Sequence, residues 1–374
     1  MNEDFLHKKI TGRKAQNAYR QLRSGVAGID FCSNDYLGIV KNDLLHASPR
    51  RYKSGSTGSR LLTGNYELIE DTERLIAGFH QAAAALIFNS GYDANTGILS
   101  CVPQRGDTVL YDYLSHASIR DGLRLGLAQS FSFLHNDIAD LEKKLATAKG
   151  HVFVVTESVF SMDGDMAPLK EIAALCVQYK AYLIVDEAHA TGVVGAKGEG
   201  LVQLLGLQQQ CFARIHTFGK ALGCHGAVVL GSHTLRDYLV NFCRAFIYTT
   251  ALPPVSAAAI KSAYEIFPRL TNERSHLQNL VAIFQAAGIQ YKKLQSTSPV
   301  QSVIIPGNEQ VKAAAAVCRQ NNLDVRAILY PTVPKESERL RIVLHSFNTT
   351  DDLNRLIQVL NLNSLIPGPS PTSL

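Results

Sequence analysis

Three polar side chains stand at or just beyond the ends of three apolar, strand-like stretches of this sequence. Lys220 follows CFARIHTF, Asp186 closes YLIVD, and Ser161 follows HVFVVTESVF. In an open sheet of mostly parallel strands, ligands bind outside the carboxyl ends of the strands. We therefore expect these three side chains to lie at one edge of a sheet and to form a site there.

The lysine lies between glycines, in the stretch TFGKALG. A glycine allows the backbone to turn tightly and leaves room beside it, as a lysine that contacts a ligand requires. A solvated lysine in an ordinary turn is the simpler interpretation, because most lysines are exposed. The neighbouring motifs decide between the two.

Two histidines are candidates for the same site. His189 follows Asp186 by three residues in DEAHATG, and His116 lies among small residues in YLSHASIRDG. A helix-capping aspartate and two solvated histidines would explain the same letters. A metal site formed by Asp186, His189 and His116 is a further interpretation, but neither H-E-x-x-H nor a close cysteine pair supports it.

A phosphate site is predicted where NSGYDANTGIL begins a helix at Gly91 and Tyr92, because the free amides of a helix start bind phosphate. The glycine-rich stretches match neither the dinucleotide fingerprint nor the Walker pattern. A lysine for a Schiff base, an acidic partner for a pyridine nitrogen and a phosphate site together indicate pyridoxal phosphate (PLP). Thr217, three residues before Lys220, could then donate a hydrogen bond to the phosphate.

Composition sets the class of protein. The 374 residues are 46% hydrophobic and 18% charged, which argues against disorder, and the net charge of +5 is too small to suggest nucleic-acid binding. The N-terminus has no apolar core of a signal peptide, and no apolar run is long enough to span a membrane. The seven cysteines are dispersed, which is typical of a reducing compartment, so we expect a cytoplasmic protein with no membrane association.

Strand and helix patterns alternate between residues 66 and 230, which predicts an α/β domain with a mostly parallel sheet. Long helices and a few strands follow, as in a smaller α+β domain. We predict the following division: an N-terminal segment 1–40, a large domain 41–255, a small C-terminal domain 256–362, and a disordered tail 363–374.

The ordered motifs from residue 31 to residue 348 resemble those of the α-oxoamine synthases, a family of fold-type-I PLP enzymes. These motifs are FCSNDYLG, GSTGSRLLTGN, SHAS, TESVFSMDGDMAPL, VDEAHATGVVG, TFGKALG, IYTTALPP and PTVPKESERLRIVL. The resemblance covers nearly the whole chain. It implies a homodimer whose two active sites are each shared between subunits.

Within this family, the sequence is most similar to the enzymes that condense L-alanine with a pimeloyl thioester, of coenzyme A or an acyl carrier protein, in biotin biosynthesis. The resemblance therefore implies this decarboxylative acyl transfer. Relatives that use glycine with short acyl thioesters, or serine with long ones, keep the same cofactor residues and are the alternative. A non-catalytic binding domain on the same fold is a third possibility, against which the retention of the lysine, aspartate and histidines argues.

The resemblance also assigns roles residue by residue. Lys220 would form the Schiff base, Asp186 would pair with the pyridine nitrogen, His189 would bond the ring hydroxyl with Ser161 nearby, and His116 would stack on the ring and contact substrate. The phosphate would be held by Gly91, Tyr92 and Thr217, with Thr249 or Thr250 added by the partner subunit.

For the substrate, the resemblance implies Arg341 on the amino acid carboxylate and a contact from Thr332. Arg20 is the best candidate for a second anionic contact, with Arg13 and Arg23 as competitors. Cys224 and His225 depart from the small or hydroxyl residues usual in the family, and Gln81 departs from its usual turn.

Overall fold

The computed structural model describes residues 2–22, 24–25, 28–45, 51–362 and 365–366. Its strands, in chain order, are β1 Ile29–Asp30, β2 Ala84–Phe88, β3 Thr108–Asp112, β4 Gln129–Phe133, β5 Val152–Glu157, β6 Tyr182–Asp186, β7 Cys211–Thr217, β8 Ala227–Gly231, β9 Val300–Ile304, β10 Leu323–Asp324, β11 Arg326–Ile328 and β12 Arg339–Val343.

The α-helices, in chain order, are α1 Asp4–Ala15, α2 Glu67–Phe79, α3 Gly91–Cys101, α4 Ala117–Leu125, α5 Ile138–Leu145, α6 Leu169–Gln178, α7 Leu201–Leu204, α8 His233–Phe242, α9 Arg244–Ile247, α10 Pro254–Ile266, α11 Thr271–Ala286, α12 Asn308–Gln320 and α13 Thr350–Leu360, with a 3₁₀ turn at Phe267–Arg269. Among the described residues, none of these helices combines the length and the apolar character needed to cross a membrane.

The chain divides into two compact units. The larger unit comprises Leu37–Ser161 and Asp165–Arg274, and the smaller comprises the described parts of Met1–Tyr36, Met162–Gly164 and Ser275–Leu374. The boundaries given above, at residues 40, 255 and 362, stay a prediction of how the chain divides into domains. The predicted disordered tail lies almost entirely outside the described residues.

A seven-stranded sheet forms the centre of the larger unit, in the order β2-β8-β7-β6-β5-β3-β4. Within this sheet β8 runs in the direction opposite to the other six strands, so the predicted mostly parallel sheet is confirmed. The central strands β5 and β6 are mostly apolar before their polar carboxyl ends, because helices cover both faces of a parallel sheet. Val155, Ile184 and Ile215 from three adjacent strands belong to one buried cluster under α3 and α4.

Local sequence fixes most helix starts, with one correction. We expected Asn136 to cap α5, but the cap is Asp137, whose side chain accepts the amide N–H of Asp140. Asn136 instead has a positive φ of 54°, which asparagine tolerates better than most residues, and its side chain donates to Asp165. The strand β4, with the sequence QSFSF, was not predicted, because this exposed edge strand lacks a continuous apolar run.

The smaller unit contains an antiparallel sheet in the order β11-β12-β9 and a parallel pair of β1 with β10. The short strand β1 thus pairs with a strand almost 300 residues later, Ile29 lying opposite Leu323. The N-terminal and C-terminal segments therefore share one unit, which the sequence pattern did not indicate.

Candidate active site

Four buried polar residues close four neighbouring strands of the large sheet. Asp112 ends β3, Glu157 ends β5, Asp186 ends β6 and Thr217 ends β7. Because these strands are parallel, their carboxyl ends meet at one edge of the sheet. This edge is where the sequence predicted a site.

Lys220 lies in the turn after β7, half-buried, with its Nζ 3.5 Å from the Oγ1 of Thr217. The turn closes through a hydrogen bond from the N–H of Gly223 to the carbonyl of Lys220. Gly223 has a φ of 62°, and a Cβ there would lie 2.7 Å from the side chain of Val40, so this position requires glycine. Gly219 is not crowded within the chain: its Cβ would meet only the carbonyl of Cys224, at 3.7 Å.

Asp186 is held by two donors. The side-chain amide of Asn95 donates to Oδ2 at 2.7 Å, and the N–H of Ala188 donates to Oδ1 at 2.8 Å. Asn95 lies on α3, whose first turn faces the same sheet edge. The two bonds fix the plane of the carboxylate, as required of a group that must meet a cofactor nitrogen in one orientation.

His116 caps α4, and its ring has a defined tautomer. The backbone N–H of Ser118 donates to Nδ1 at 3.2 Å, so Nδ1 must be the unprotonated nitrogen of the neutral ring. The hydroxyl of Ser118, which accepts from Asn95 at 3.1 Å, lies 2.8 Å from the same nitrogen. Burial lowers the pKa of His116, which favours this neutral form with its proton on Nε2.

Glu157 is a further member of the site that the sequence analysis did not single out. It is buried and accepts the backbone N–H of His116 on Oε1 at 2.6 Å. Burial, and then the charge of Asp186 opposite it in register, raises the pKa of Glu157 well above its ordinary value. A buried carboxyl beside a second carboxylate retains its proton to higher pH.

His189 and Ser161 lie in the loops that follow the same strands. His189 is buried three residues beyond the end of β6. Ser161 is half-buried in the loop after β5, which is joined to the end of β6 by the N–H of Ser158 donating to the carbonyl of Asp186 at 2.9 Å. The roles assigned to both from the sequence stay predictions.

The start of α3 forms a cradle for an anion. Ser90 caps the helix by accepting the N–H of Asp93, and the amides of Gly91 and Tyr92 belong to the first turn, which has no helical acceptors. A Cβ at Gly91 would lie 2.5 Å from the Cγ2 of Thr217, so only glycine allows this close approach. The phenol of Tyr92 donates to Asp121 at 2.7 Å, so its side chain has a separate role from its amide.

Apart from His116, the residues predicted to contact substrate belong to the smaller unit. Arg20 donates through Nη2 to the hydroxyl of Thr332 at 3.1 Å, which brings two of them together. Arg341 is buried, and its Nη2 donates to the side chain of Asn34 at 3.1 Å. Arg13 is exposed on α1, and Arg23 lies outside the described residues.

The predicted residues are oriented by three others that the sequence did not indicate, namely Asn95, Ser118 and Glu157. For Asn95 in YDAN and Ser118 in SHAS the sequence offered only a weak indication, because asparagine and serine are poorer helix formers than most residues found in helices. Their partners lie between 23 and 91 residues away along the chain, except for the local contact of Ser118 with His116.

These donors fit PLP rather than a metal ion. A fixed, buried carboxylate suits a pyridinium nitrogen, a half-buried lysine suits a carbonyl carbon, and a crowded glycine at a helix start suits a phosphate. In the part of the chain that the structure describes, no group of three or more histidine, cysteine, aspartate or glutamate side chains is arranged to hold a metal.

Comparisons with known proteins agree with this assignment. The family model for aminotransferase class I and II matches residues 26–360. An 8-amino-7-oxononanoate synthase from Emericella nidulans is 40% identical, covering 96% of this chain and 94% of its own.

Solved structures give the same picture. An 8-amino-7-oxononanoate synthase from Francisella tularensis superimposes with a TM-score of 0.77 at 29% identity, covering 89% of this chain and 97% of its own. A serine palmitoyltransferase from S. paucimobilis with a bound PLP–myriocin aldimine superimposes with a TM-score of 0.84 at 25% identity, covering 96% of both chains. The predicted fold type and the PLP cofactor are thereby confirmed, and the chain belongs to the aminotransferase class I and II family and, within it, to the PLP-dependent α-oxoamine synthases.

Proposed function

We propose that this enzyme condenses L-alanine with a pimeloyl thioester to give 8-amino-7-oxononanoate, carbon dioxide and the free thiol, a step of biotin biosynthesis. The observation that carries the proposal is the meeting of Asp186, Lys220 and the start of α3 at one edge of the large sheet. The 40% identical relative, which bears the name of this synthase, supports the substrates.

Bound PLP supplies an electron sink for negative charge at the substrate Cα. Asp186 would sustain that sink by holding a proton on the ring nitrogen, since its carboxylate is oriented by Asn95 and Ala188. Lys220 would take the Cα proton of alanine on Nζ and return a proton to the product carbon after carbon dioxide is lost. The Nζ of Lys220 lies 3.5 Å from the Oγ1 of Thr217, which is beside the proposed phosphate end of the site.

His116 would act as a neutral donor. With Nδ1 accepting from Ser118, the only ring proton is on Nε2, and this proton can be donated to the substrate carboxylate or to the thioester oxygen. A charged ring would add positive charge beside Lys220, whose charge also lowers the pKa of His116. His116 would therefore remain neutral and serve as a hydrogen-bond donor, while Lys220 would transfer the Cα proton.

We assign the substrate carboxylate to Arg341. A guanidinium binds a carboxylate through two parallel hydrogen bonds, and the contact with Asn34 orients this guanidinium. Arg20, joined to Thr332, would provide the second anionic contact. The enzyme would act in the cytoplasm on a pimeloyl group carried by coenzyme A or by an acyl carrier protein.

Product analysis by mass spectrometry with a panel of amino acids and acyl thioesters tests the proposed substrates. We expect L-alanine with a pimeloyl thioester to give 8-amino-7-oxononanoate and carbon dioxide. Glycine should react more slowly, by about 10- to 200-fold, because one methyl group in an apolar pocket contributes about 1–3 kcal/mol. Faster turnover of glycine with acetyl-CoA would leave the family intact and show that the specificity belongs to another branch.

The enzyme should act as a homodimer, because the single chain exposes large apolar side chains beside the site helices. Leu125 at the end of α4 and Phe242 at the end of α8 line one surface groove and are 70% and 59% exposed, and Tyr248 nearby is 73% exposed. Groups of exposed apolar side chains mark surfaces that another chain covers. A second copy of this chain is the proposed occupant.

Phe242→Arg should therefore yield monomers with little activity, because it places a charge in the apolar contact. Sedimentation velocity measures the assembly, and product formation measures the activity. The matched control is Val177→Arg, which changes a 65% exposed residue on α6 and should preserve both the dimer and the rate. A wild-type protein that sediments as a fully active monomer would exclude the shared site.

A further inference from the structure

His135 bridges two carboxylates at the edge of the large sheet, beside the candidate site. Its Nδ1 lies 2.9 Å from Oδ1 of Asp112 at the end of β3, and its Nε2 lies 2.8 Å from Oδ2 of Asp165 in the loop after β5. Both ring nitrogens face a carboxylate oxygen, so the ring is charged when both bonds are made. No step proposed above uses this histidine.

The surroundings of His135 favour the charged ring. Burial alone would lower the pKa of His135, but the hydrogen bonds to Asp112 and Asp165 and their charges raise it to about 10. The edge of Phe160 packs against the ring, with the ring centroids 4.4 Å apart, and the side-chain amide nitrogen of Asn136 lies 3.4 Å from Nε2. The imidazolium therefore persists throughout the neutral pH range.

Asp165 closes the loop that carries Ser161. The N–H of Phe160 donates to the carbonyl of Asp165 at 3.0 Å, and Val159 forms a bridge with Met166. Ser161 is the first residue beyond these contacts. A second donor, the side-chain amide of Asn136, reaches the same Oδ2 of Asp165 at 2.8 Å. The loop is thus tied by its closing residue to β3 and to the segment after β4.

The hydrogen bond between His135 and Asp112 also bears on the electrostatics of the candidate site. Asp112, whose carboxylate accepts from His135, is among the charges that raise the pKa of Glu157. Glu157 in turn accepts the backbone N–H of His116. Without the imidazolium, the carboxylates of Asp112 and Asp165 would each lose a hydrogen-bonded cation.

We propose that His135 is a positioning residue, which holds Ser161 in place for the cofactor ring by clamping the loop from Val159 to Met166 through Asp165 onto Asp112. The inference rests on the proposed placement of Ser161 beside the ring. It predicts that the contribution of Ser161 to cofactor binding depends on His135.

A double-mutant cycle tests this dependence, with the dissociation constant for PLP of the full-length protein as the readout. We expect Ser161→Ala and His135→Gln each to weaken PLP binding by about tenfold. The double variant should bind PLP no more weakly than the weaker-binding of the two single variants. Once His135 no longer positions Ser161, removal of the serine hydroxyl should cause no further loss of affinity. Asp165→Asn, which removes one carboxylate without changing its shape, should behave like His135→Gln in the same cycle.

A parallel cycle of His135→Gln with Thr217→Ala is the matched control. Thr217 contacts the predicted phosphate end and lies three strands further along the sheet from Asp112, so the two effects should multiply. The clamp would be overturned if the effects of His135→Gln and Ser161→Ala on the dissociation constant multiplied. It would also be overturned if His135→Gln were coupled as strongly to Thr217→Ala as to Ser161→Ala. Either result would leave Ser161 in its proposed role. No change of the dissociation constant in Ser161→Ala would overturn both the placement of Ser161 and the inference. If His135→Gln fails to fold, the Asp165→Asn cycle decides the matter alone.

Discussion

Lys220→Ala should abolish synthase activity, with a loss of at least about 10⁴-fold, and should remove the visible absorption band of the bound cofactor. This lysine would supply both the covalent bond to PLP and the base that moves the Cα proton, and proton transfer alone contributes about 10²–10⁴-fold. Its Nζ is half-buried at the sheet edge, 3.5 Å from Thr217. The measurements are the absorbance spectrum, and product formation over hours.

Borohydride reduction of the wild-type protein gives the complementary result. We expect peptide mass spectrometry to find the cofactor fixed to the peptide that contains Lys220. Lys197 is the matched control, because it is exposed in a glycine-rich turn of the same unit, and Lys197→Ala should keep both the colour and the rate. A label on any other lysine would refute the assignment.

Asp186→Asn should bind PLP yet slow the exchange of the Cα proton of alanine by at least about 10²-fold. The neutral amide cannot keep a proton on the ring nitrogen, so the electron sink is weakened. The change also disturbs the hydrogen bonding, because the new amide nitrogen would face a donor in either orientation, namely the side-chain amide of Asn95 or the N–H of Ala188. Proton exchange is followed by NMR in deuterated water, and cofactor content by absorbance.

The matched control for this variant is Asp121→Asn, which removes a half-buried carboxylate on α4 that accepts from Tyr92. It should leave proton exchange within a fewfold of the wild-type rate. Because the charge of Asp186 raises the pKa of Glu157, Asp186→Asn should also lower the pKa of Glu157 toward its ordinary range. Unaltered proton exchange in Asp186→Asn would mean that another residue serves the ring nitrogen.

Several strands of the large sheet, and Asp186 at the end of one of them, were predictable because their signals are local. A buried parallel strand is a short apolar run, so the stretch YLIVD coincides with β6 and the stretch CFARIHTF extends one residue beyond β7. The glycine at position 223 was also visible in the sequence, and its φ of 62° shows why no other residue suits the turn. The exposed edge strand β4 lacked such a run and was missed.

The fold class and the cofactor could be predicted from the sequence by itself, and so could candidate residues to contact the cofactor, since chemical type and spacing along one strand or turn are written in neighbouring letters. Tertiary structure alone decided what orients those residues. Asn95 reaches Asp186 across 91 positions, and Glu157 reaches the amide of His116 across 41. His135 likewise meets Asp112 and Asp165 from 23 and 30 positions away. Such pairs depend on which strands become neighbours in the sheet, and the order β7-β6-β5-β3-β4 differs from the order along the chain.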